Sequence, residues 1–193
     1  ASAVTEAINY ATNCLGVISA GTAGGLAQHI NVGDIVLGSN YLYTDADATI
    51  FGYERGQIPG MPVSYGGRDS EWEEAIEAVL SALKSAQEEG SWAVYQGRML
   101  AGNSFVTEHN VKDTREAFDT ALSTDMETTA IAQICSNYDV SFMAVRCISD
   151  LCGPAADQEF HLSVDVVAPR SARYALQIAA ELWTQQELPA LEL

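Results

Sequence analysis

Short apolar runs alternate with segments of helical periodicity along most of the chain, and this alternation restricts the possible folds more than any other feature. Four runs have the length of a strand and lie at residues 14–19, 34–43, 92–100 and 141–149. Between and after them, apolar residues recur at helical spacing, most clearly over 70–88 and 165–186. Strands that alternate with helices are typical of α/β proteins. The sequence therefore predicts an α/β fold with a central, largely parallel or mixed β-sheet flanked by helices.

Three further helices complete the predicted order of elements. One spans residues 2–12, one spans about 111–121, and one opens at residues 125–127. Residues 52–68 contain many glycines and prolines and are expected to form the main irregular segment. A chain of 193 residues with 48% hydrophobic content can bury the core of one domain, so residues 1–193 are interpreted as a single domain.

The charge balance excludes several classes of partner. The chain has 9 basic and 26 acidic residues, which gives a formal net charge of −17. Phosphate backbones and anionic lipid surfaces require clustered Lys and Arg, so neither nucleic acid nor a membrane is an expected partner. The sequence also lacks the run of about 18 apolar residues that a membrane-spanning helix needs.

The cysteines and histidines do not suggest a metal site. Cys14, Cys135, Cys147 and Cys152 show no C-x-x-C spacing, and the three histidines are scattered along the chain. Most of these cysteines lie in apolar patterns, so we expect buried, reduced thiols and a cytoplasmic location. No metal and no cofactor are expected.

The first candidate for a ligand site is the glycine-rich stretch at residues 20–25, which follows the strand predicted over 14–19. Glycines allow backbone amides to approach a ligand closely, and Thr22 adds a hydroxyl. The stretch has neither the G-x-G-x-x-G spacing of dinucleotide sites nor the lysine of a P-loop. A turn with a purely structural role is the alternative.

Two acidic stretches are the other candidates. Ser149 and Asp150 end an apolar strand, where a carboxyl group beside a hydroxyl is well placed for proton transfer. A turn or a helix cap would explain the same residues. Glu127 stands at the entrance of an apolar helix that Asp125 or Thr124 could cap. Taken singly, none of the three stretches names a function.

The order of motifs along nearly the whole chain does indicate a function. The motifs are GTAGGL, VGDIV, DADATIFGYERGQIPGMP, GNSFV, DMETTAIAQ, RCISD and HLS. Together they resemble the 5′-methylthioadenosine/S-adenosylhomocysteine nucleosidases, a family of the nucleoside phosphorylase/hydrolase superfamily, and the longest motif is the most specific of them. The resemblance implies a three-layer fold with a central mixed sheet. It also implies hydrolysis of the N-glycosidic bond of adenine thionucleosides with release of adenine, without a cofactor.

The resemblance assigns the acids and their neighbours to the reacting bond. Asp150 is expected to be the general acid that protonates adenine N7, and Ser149 to orient it. Glu127 is expected to accept hydrogen bonds from the ribose hydroxyls. Thr22 and Arg146 are expected near the attacking water.

The same resemblance implies the residues that bind the rest of the substrate. Phe105 is expected to stack on adenine while the Val106 backbone contacts its Watson–Crick edge, and Met126 to pack against the sugar. Ala23 and Gly24 are expected to line the substrate site beside Thr22.

A homodimer is a further implication of the resemblance. Three residues of the longest motif are expected to reach into a neighbouring subunit and to close its pocket for the 5′-alkylthio group, namely Phe51, Tyr53 and Pro59.

Three departures from the family pattern stand in the sequence. The family's general base is a glutamate on a first strand that these 193 residues do not contain, and Glu6 has the wrong setting to replace it. The expectation is either a segment upstream of Ala1 or an incomplete enzyme. Val164 replaces an aromatic of the alkylthio pocket, and the loop between Asp150 and His161 is longer than usual.

Three alternative functions follow from this reasoning. A purine nucleoside phosphorylase would use phosphate in place of water, but the family's phosphate-binding arginine is Ser19 here. A nucleosidase for AMP or futalosine fits the apolar segment around Phe51 and Pro59 less well. The third alternative is a catalytically incomplete nucleoside-binding homologue.

Overall fold

The computed structural model describes residues 1–11, 14–66, 70–86, 92–153 and 163–185. Its strands are β1 (Val17–Gly25), β2 (Ile35–Tyr43), β3 (Val94–Ala101), β4 (Ala121–Asp125) and β5 (Phe142–Asp150). Its helices are α1 (Ser2–Tyr10), α2 (Ser70–Ala86), α3 (Val111–Ala117), α4 (Thr128–Asn137) and α5 (Val164–Gln185), with one 3₁₀ turn at Thr49–Phe51.

The described strands form one mixed sheet that closes into a barrel in the order β1-β4-β3-β2-β5. β1 pairs in parallel with β5, and β3 pairs in parallel with both β2 and β4. The antiparallel pairs β1–β4 and β2–β5 complete the ring. The predicted mixed central sheet is confirmed, and its closure is a feature that the alternating pattern does not indicate.

Helices pack against both faces of the sheet, because successive residues of a strand point to opposite sides. Along β5, Met143 and Val145 belong to a buried cluster that includes Trp72 and Ile76 of α2 and residues of α5. Ala144, between them, belongs to a second cluster that includes residues of α4, with α1 packed against it. A strand that is buried on both faces has apolar side chains at successive positions, and this explains the continuous apolar sequence of β5.

Most of the predicted elements are confirmed within one to three residues. The strands predicted over 34–43, 92–100 and 141–149 correspond to β2, β3 and β5, and the helices predicted over 70–88 and 165–186 correspond to α2 and α5. No helix in the described part of the chain combines the length and the apolar character needed to cross a bilayer.

The glycine-rich stretch at residues 20–25 was expected to follow the first strand, with a structural turn as the alternative to a ligand site. The turn is wrong, because residues 20–25 continue strand β1. Because glycine has no side chain, β1 can pack closely against the side chains of neighbouring residues. A Cβ atom at Gly21 would lie 3.4 Å from the guanidinium carbon of Arg146. At Gly24 it would lie 3.0 Å from Oδ1 of Asp150 and would collide with the sulfur of Cys152. The glycines therefore serve close packing inside a strand.

The second correction concerns residues 118–125. The helix predicted over 111–121 ends at Ala117, and β4 follows it at Ala121–Asp125. β4 has five residues, and its buried positions include the polar Ser123 and Thr124. A strand this short with polar residues inside has no apolar alternation, so the sequence pattern does not reveal it.

Tyr41 links two strands inside the core. Its side chain is fully buried, and its hydroxyl donates to the carbonyl oxygen of Gly38 at 2.8 Å. The same hydroxyl accepts a hydrogen bond from the backbone N–H of Ala144 on β5 at 2.9 Å. Tyr65 packs in the same cluster, and its buried hydroxyl has no hydrogen-bond partner among the described residues.

We expect Tyr41→Phe to lower the free energy of unfolding by about 1–3 kcal/mol, since the Ala144 N–H would be left buried without an acceptor. Tyr65→Phe is the matched control and should leave stability unchanged or slightly higher, because its hydroxyl satisfies no partner. Urea denaturation of the two variants measures both values. An equal loss in both would contradict the proposed role of the Tyr41 hydroxyl.

Candidate active site

A pocket of about 220 Å³ opens where the carboxyl ends of β1, β4 and β5 meet the loop that follows β3. Its lining residues come from four separate parts of the chain and are Thr22, Ala23, Gly24, Ser104, Phe105, Val106, Thr124, Asp125, Met126, Glu127, Ser149, Asp150 and Cys152. Ligands of α/β proteins commonly bind at the carboxyl ends of strands. The three stretches singled out in the sequence therefore meet at one site.

Asp150 forms the buried acidic wall of this pocket. Asp150 is 5% exposed. Two neighbouring groups lie within hydrogen-bond distance of its carboxyl oxygens. The Ser149 hydroxyl lies 3.0 Å from Oδ2, and the backbone N–H of Cys152 donates to Oδ1 at 3.1 Å. The pairing of β1 with β5 shifts register between Ala23 and Gly24, so that Gly24 lies opposite Asp150. Such irregularities re-aim side chains at the ends of strands, and here the result is a fixed carboxyl group.

Cys152 completes the same wall as an apolar group. Burial raises the pKa of its thiol to about 12, and the neighbouring Asp150 carboxylate acts in the same direction. A thiol with this pKa stays protonated at neutral pH and is a poor nucleophile. Cys135 and Cys147 are also buried and free, and Cys14 is free and half-buried. The prediction that most of the cysteines are buried is thus confirmed.

Asp125 and Arg146 form a buried ion pair beneath the opposite wall. The two side chains are each 3% exposed, and Nε of Arg146 lies 2.6 Å from Oδ2 of Asp125. Oδ1 of Asp125 accepts from the backbone N–H groups of Glu127 and Thr128 at 3.1 and 2.9 Å, and Oδ2 also accepts from the Thr128 hydroxyl. Asp125 therefore caps α4, as the sequence suggested, and it also pairs with Arg146.

Glu127 is left free for a ligand by this arrangement. It stands at the N-cap position of α4, yet its side chain makes no capping hydrogen bond, because Asp125 already fills that role. Its carboxylate is exposed and has no ion-pair or hydrogen-bond partner among the described residues. Met126 is also exposed beside it. The pair presents an acceptor and an apolar surface to the same space.

Phe105 provides a flat aromatic surface near the buried acid. It is 62% exposed, whereas its neighbour Val106 is 5% exposed and packs in a core cluster that includes Cys152. The loop is held from below by Asp45, whose carboxylate accepts from the backbone N–H of Asn103 at 2.8 Å. An exposed aromatic ring held this way can stack on a planar ligand.

Nine of the ten residues predicted for the substrate site of the same chain line this pocket, and the three residues predicted for the pocket of a neighbouring subunit do not. The nine that line it are Thr22, Ala23, Gly24, Phe105, Val106, Met126, Glu127, Ser149 and Asp150. Arg146 lies behind the pocket and acts on it through Asp125. Phe51, Tyr53 and Pro59 are absent from its lining; Phe51 is 79% exposed on the surface.

Four lining residues were not predicted for the site. Thr124 and Asp125 were expected only as helix caps, and Ser104 and Cys152 were not singled out at all. Ser104 precedes Phe105 in the GNSFV motif, which is the one signal that could have identified it. Cys152 has no such signal, because its apolar setting depends on contacts with β1 and the loop after β3. His161 lies outside the described residues, and so does Pro154; the side chain of Val164 is not described. In the described part of the chain, no group of His, Cys, Asp and Glu is arranged to bind a metal.

Comparison with known proteins gives consistent matches. The family model described as the phosphorylase superfamily matches residues 1–182. A 5′-methylthioadenosine/S-adenosylhomocysteine nucleosidase of Bacillus thuringiensis (strain Al Hakam) is 35% identical over 167 residues, which are 86% of this chain and 69% of the relative.

Solved structures of similar proteins hold ligands. A nucleosidase of the same name from Neisseria meningitidis, in complex with methylthio-immucillin-A, has a TM-score of 0.78 and 31% identity, and the match covers 96% of this chain and 75% of that one. Another from Colwellia psychrerythraea 34H, in complex with adenine, has a TM-score of 0.80 and 30% identity over 94% and 72% of the two chains.

We expect Asp125→Asn to lower the free energy of unfolding by about 3–5 kcal/mol, because it leaves the Arg146 charge buried without a counter-ion. The control is Glu116→Gln, which breaks the exposed Lys112–Glu116 pair at 3.8 Å and should cost less than about 0.5 kcal/mol. Chemical denaturation of both variants is the measurement. A loss in Asp125→Asn no larger than that of the control would show that the buried pair is not the main support of this wall.

Proposed function

The chain belongs to the phosphorylase superfamily, and we propose that it hydrolyses the N-glycosidic bond of 5′-methylthioadenosine and S-adenosylhomocysteine, with release of adenine. The matched proteins of Bacillus and Neisseria are named as nucleosidases for these two substrates, and each is similar to most of this chain. Both observations support the proposal. One observation carries the proposal. A single pocket presents a buried carboxyl group, an exposed carboxylate and an exposed aromatic ring, contributed by Asp150, Glu127 and Phe105.

The chemistry of the bond explains why two acids are needed. Cleavage leaves positive charge on the sugar and negative charge on the purine. In our proposal, Asp150 protonates adenine N7 and so neutralises the leaving base, while the Ser149 hydroxyl orients the acid. Glu127 accepts hydrogen bonds from the ribose hydroxyls, and its negative charge stabilises the cationic sugar. The buried setting of one acid and the exposed setting of the other suit these two roles.

The remaining pocket residues bind the substrate in this proposal. Phe105 stacks on adenine, and the backbone of Val106 contacts its polar edge. Met126 packs against the sugar on the side of Glu127. Thr22, beside Ala23 and Gly24 at the end of β1, contributes its hydroxyl to the side from which water attacks.

The hydrogen bonds of Arg146 favour water over phosphate as the attacking group. A guanidinium has five N–H donors, and all five of Arg146 are used inside the protein. Nε donates to Asp125, Nη1 to the carbonyl oxygens of Ser19 and Val145, and Nη2 to the hydroxyls of Ser19 and Thr128. A bound phosphate ion needs charged N–H donors, and no N–H donor of Arg146 remains free to bind it. Purine nucleoside phosphorolysis is therefore the less favoured function.

A homodimer is part of the proposal. Phe51 and Ile50 are among the most exposed large apolar side chains of the described residues, at 79% and 88%. Tyr53 and Pro59 follow them in the same segment at the surface, and exposed apolar side chains of this kind are costly to leave in water. We propose that this surface of each subunit closes the alkylthio pocket of its partner.

The setting of the reaction follows from its substrates. Both are by-products of S-adenosylmethionine chemistry, so the proposed role is their recycling and the salvage of methionine. The buried free thiols fit a reducing compartment such as the cytoplasm.

We expect Asp150→Asn to lower turnover of 5′-methylthioadenosine by about 10²- to 10⁴-fold while the affinity for adenine stays close to that of the parent protein. The reason is that the amide keeps the shape of the wall but has no acidic proton to transfer to the leaving base. Asp119→Asn changes an exposed turn residue outside the pocket and serves as the control. Adenine release and adenine binding are measured separately for both variants. Turnover near that of the parent protein would refute the general-acid role.

Adenine release measured with and without inorganic phosphate separates the competing functions. The hydrolase proposal predicts release without phosphate and the free thioribose as the second product. Strict dependence on phosphate would establish a phosphorylase instead. Binding of adenine without any release under either condition would identify a nucleoside-binding homologue.

A further inference from the structure

A second cleft, of about 340 Å³, opens away from the pocket and brings two arginines together. Arg55 and Arg98 both line it together with one acidic residue, Glu54. Tyr53, Ser64, Thr49 and Phe118 are among the other lining residues. None of these residues lines the pocket of Asp150 and Glu127. In a chain with 9 basic and 26 acidic residues, the convergence of two cations on one cleft is unusual in itself.

Arg55 is poorly satisfied in its present contacts. Its Nη1 and Nη2 atoms each lie 3.3 Å from a carboxylate oxygen, of Asp47 and Asp113 respectively. Those carboxylates are 48% and 71% exposed, so water and salt weaken both ion pairs. The Nε atom is buried and has no acceptor in the described part of the protein. A buried N–H without an acceptor is costly and commonly marks the place of a bound water or ion.

Arg98 directs unused donors to the same cleft. Its Nε donates to Oδ1 of Asn40 at 3.1 Å, and its terminal amino groups have no acceptor among the residues that the structure describes. The amide nitrogen of Asn40 donates in turn to the Ser64 hydroxyl oxygen at 2.7 Å. This bond fixes the orientation of Asn40, and it leaves the hydroxyl proton of Ser64 available to a ligand.

Three other arginines show the contrast. Arg115 donates to the carbonyl oxygens of Leu26 and Leu151, and Arg170 donates to Gly33 and lies 3.7 Å above the ring of Trp92. All five donors of Arg146 are satisfied internally, as described above. These three arginines each donate to backbone carbonyl oxygens and so connect elements of the fold, whereas the hydrogen bonds of Arg55 and Arg98 go only to side chains.

We propose that this cleft binds an oxyanion, the phosphate or carboxylate group of a small molecule. The fork of Arg98 matches the two oxygens of such a group, Arg55 supplies a second positive charge and an unused N–H, and Ser64 supplies a hydroxyl. Because Arg55 and Tyr53 belong to the same surface segment as Phe51, an anion here would also hold that segment in place.

Isothermal titration at low ionic strength tests the site, with inorganic phosphate and acetate as the two probes. We expect saturable binding of at least one probe, and the tighter one identifies the preferred group. Arg98→Gln and Arg55→Gln should each weaken binding by about tenfold or more, since each removes charged hydrogen bonds. Arg173→Gln removes the same charge from an exposed position on α5 and should leave binding unchanged. Saturating adenine should have no effect.

The opposite results would overturn the proposal. Absence of saturable binding by both probes would do so, as would equal weakening in Arg173→Gln, which would indicate a general charge effect. Displacement of the probe by adenine would place the anion in the pocket of Asp150. Arg98 makes a single described hydrogen bond, so Arg98→Gln is the variant expected to fold normally and decides the outcome if Arg55→Gln does not fold.

Discussion

The buried pair of Asp125 and Arg146 is the interaction on which the arrangement of the pocket depends. Arg146 projects from β5 and contacts Ser19 of β1, Thr128 at the start of α4 and Asp125 at the end of β4. Three strands and one helix are thereby held in a fixed relation at the same edge of the barrel. A buried charge is tolerated only when its hydrogen bonds are satisfied, so each of these elements has to be in place for the pair to form. The position of Glu127, two residues after Asp125, follows from this constraint.

The two acids of the pocket show how one fold gives similar groups different environments. Asp150 is nearly buried and receives hydrogen bonds from its own strand and the residue that follows it. Glu127 stands free at a helix entrance, where water and ligand can reach it. Environments that differ in this way separate the chemical roles of two carboxyl groups. The roles proposed for the two residues, a proton donor and a sugar-binding carboxylate, therefore rest on the surroundings of each residue and not on residue type.

The sequence predicted those parts of the structure that produce local periodicity. β2, β3 and β5 are apolar runs and α2 and α5 are amphipathic, so each could be recognised alone. β4 could not, because Ser123 and Thr124 occupy its buried positions. Closure of the barrel depends on pairs such as β1–β4 that are distant along the chain and leave no local pattern. In the site, the motifs identified Glu127 and Asp150, whereas the contribution of Cys152 depends on packing across strands.

The contrast between Phe105 and Val106 has a consequence for how such a protein can evolve. Phe105 is 62% exposed at the tip of its loop, whereas Val106 is anchored in the core. A substitution at the exposed position would change the surface offered to a planar ligand and would alter the core very little. Asp150 has no comparable freedom, since β1 packs against it through Gly24. Selection can therefore alter ligand preference at the loop tip while the wall that contains Asp150 is inherited unchanged.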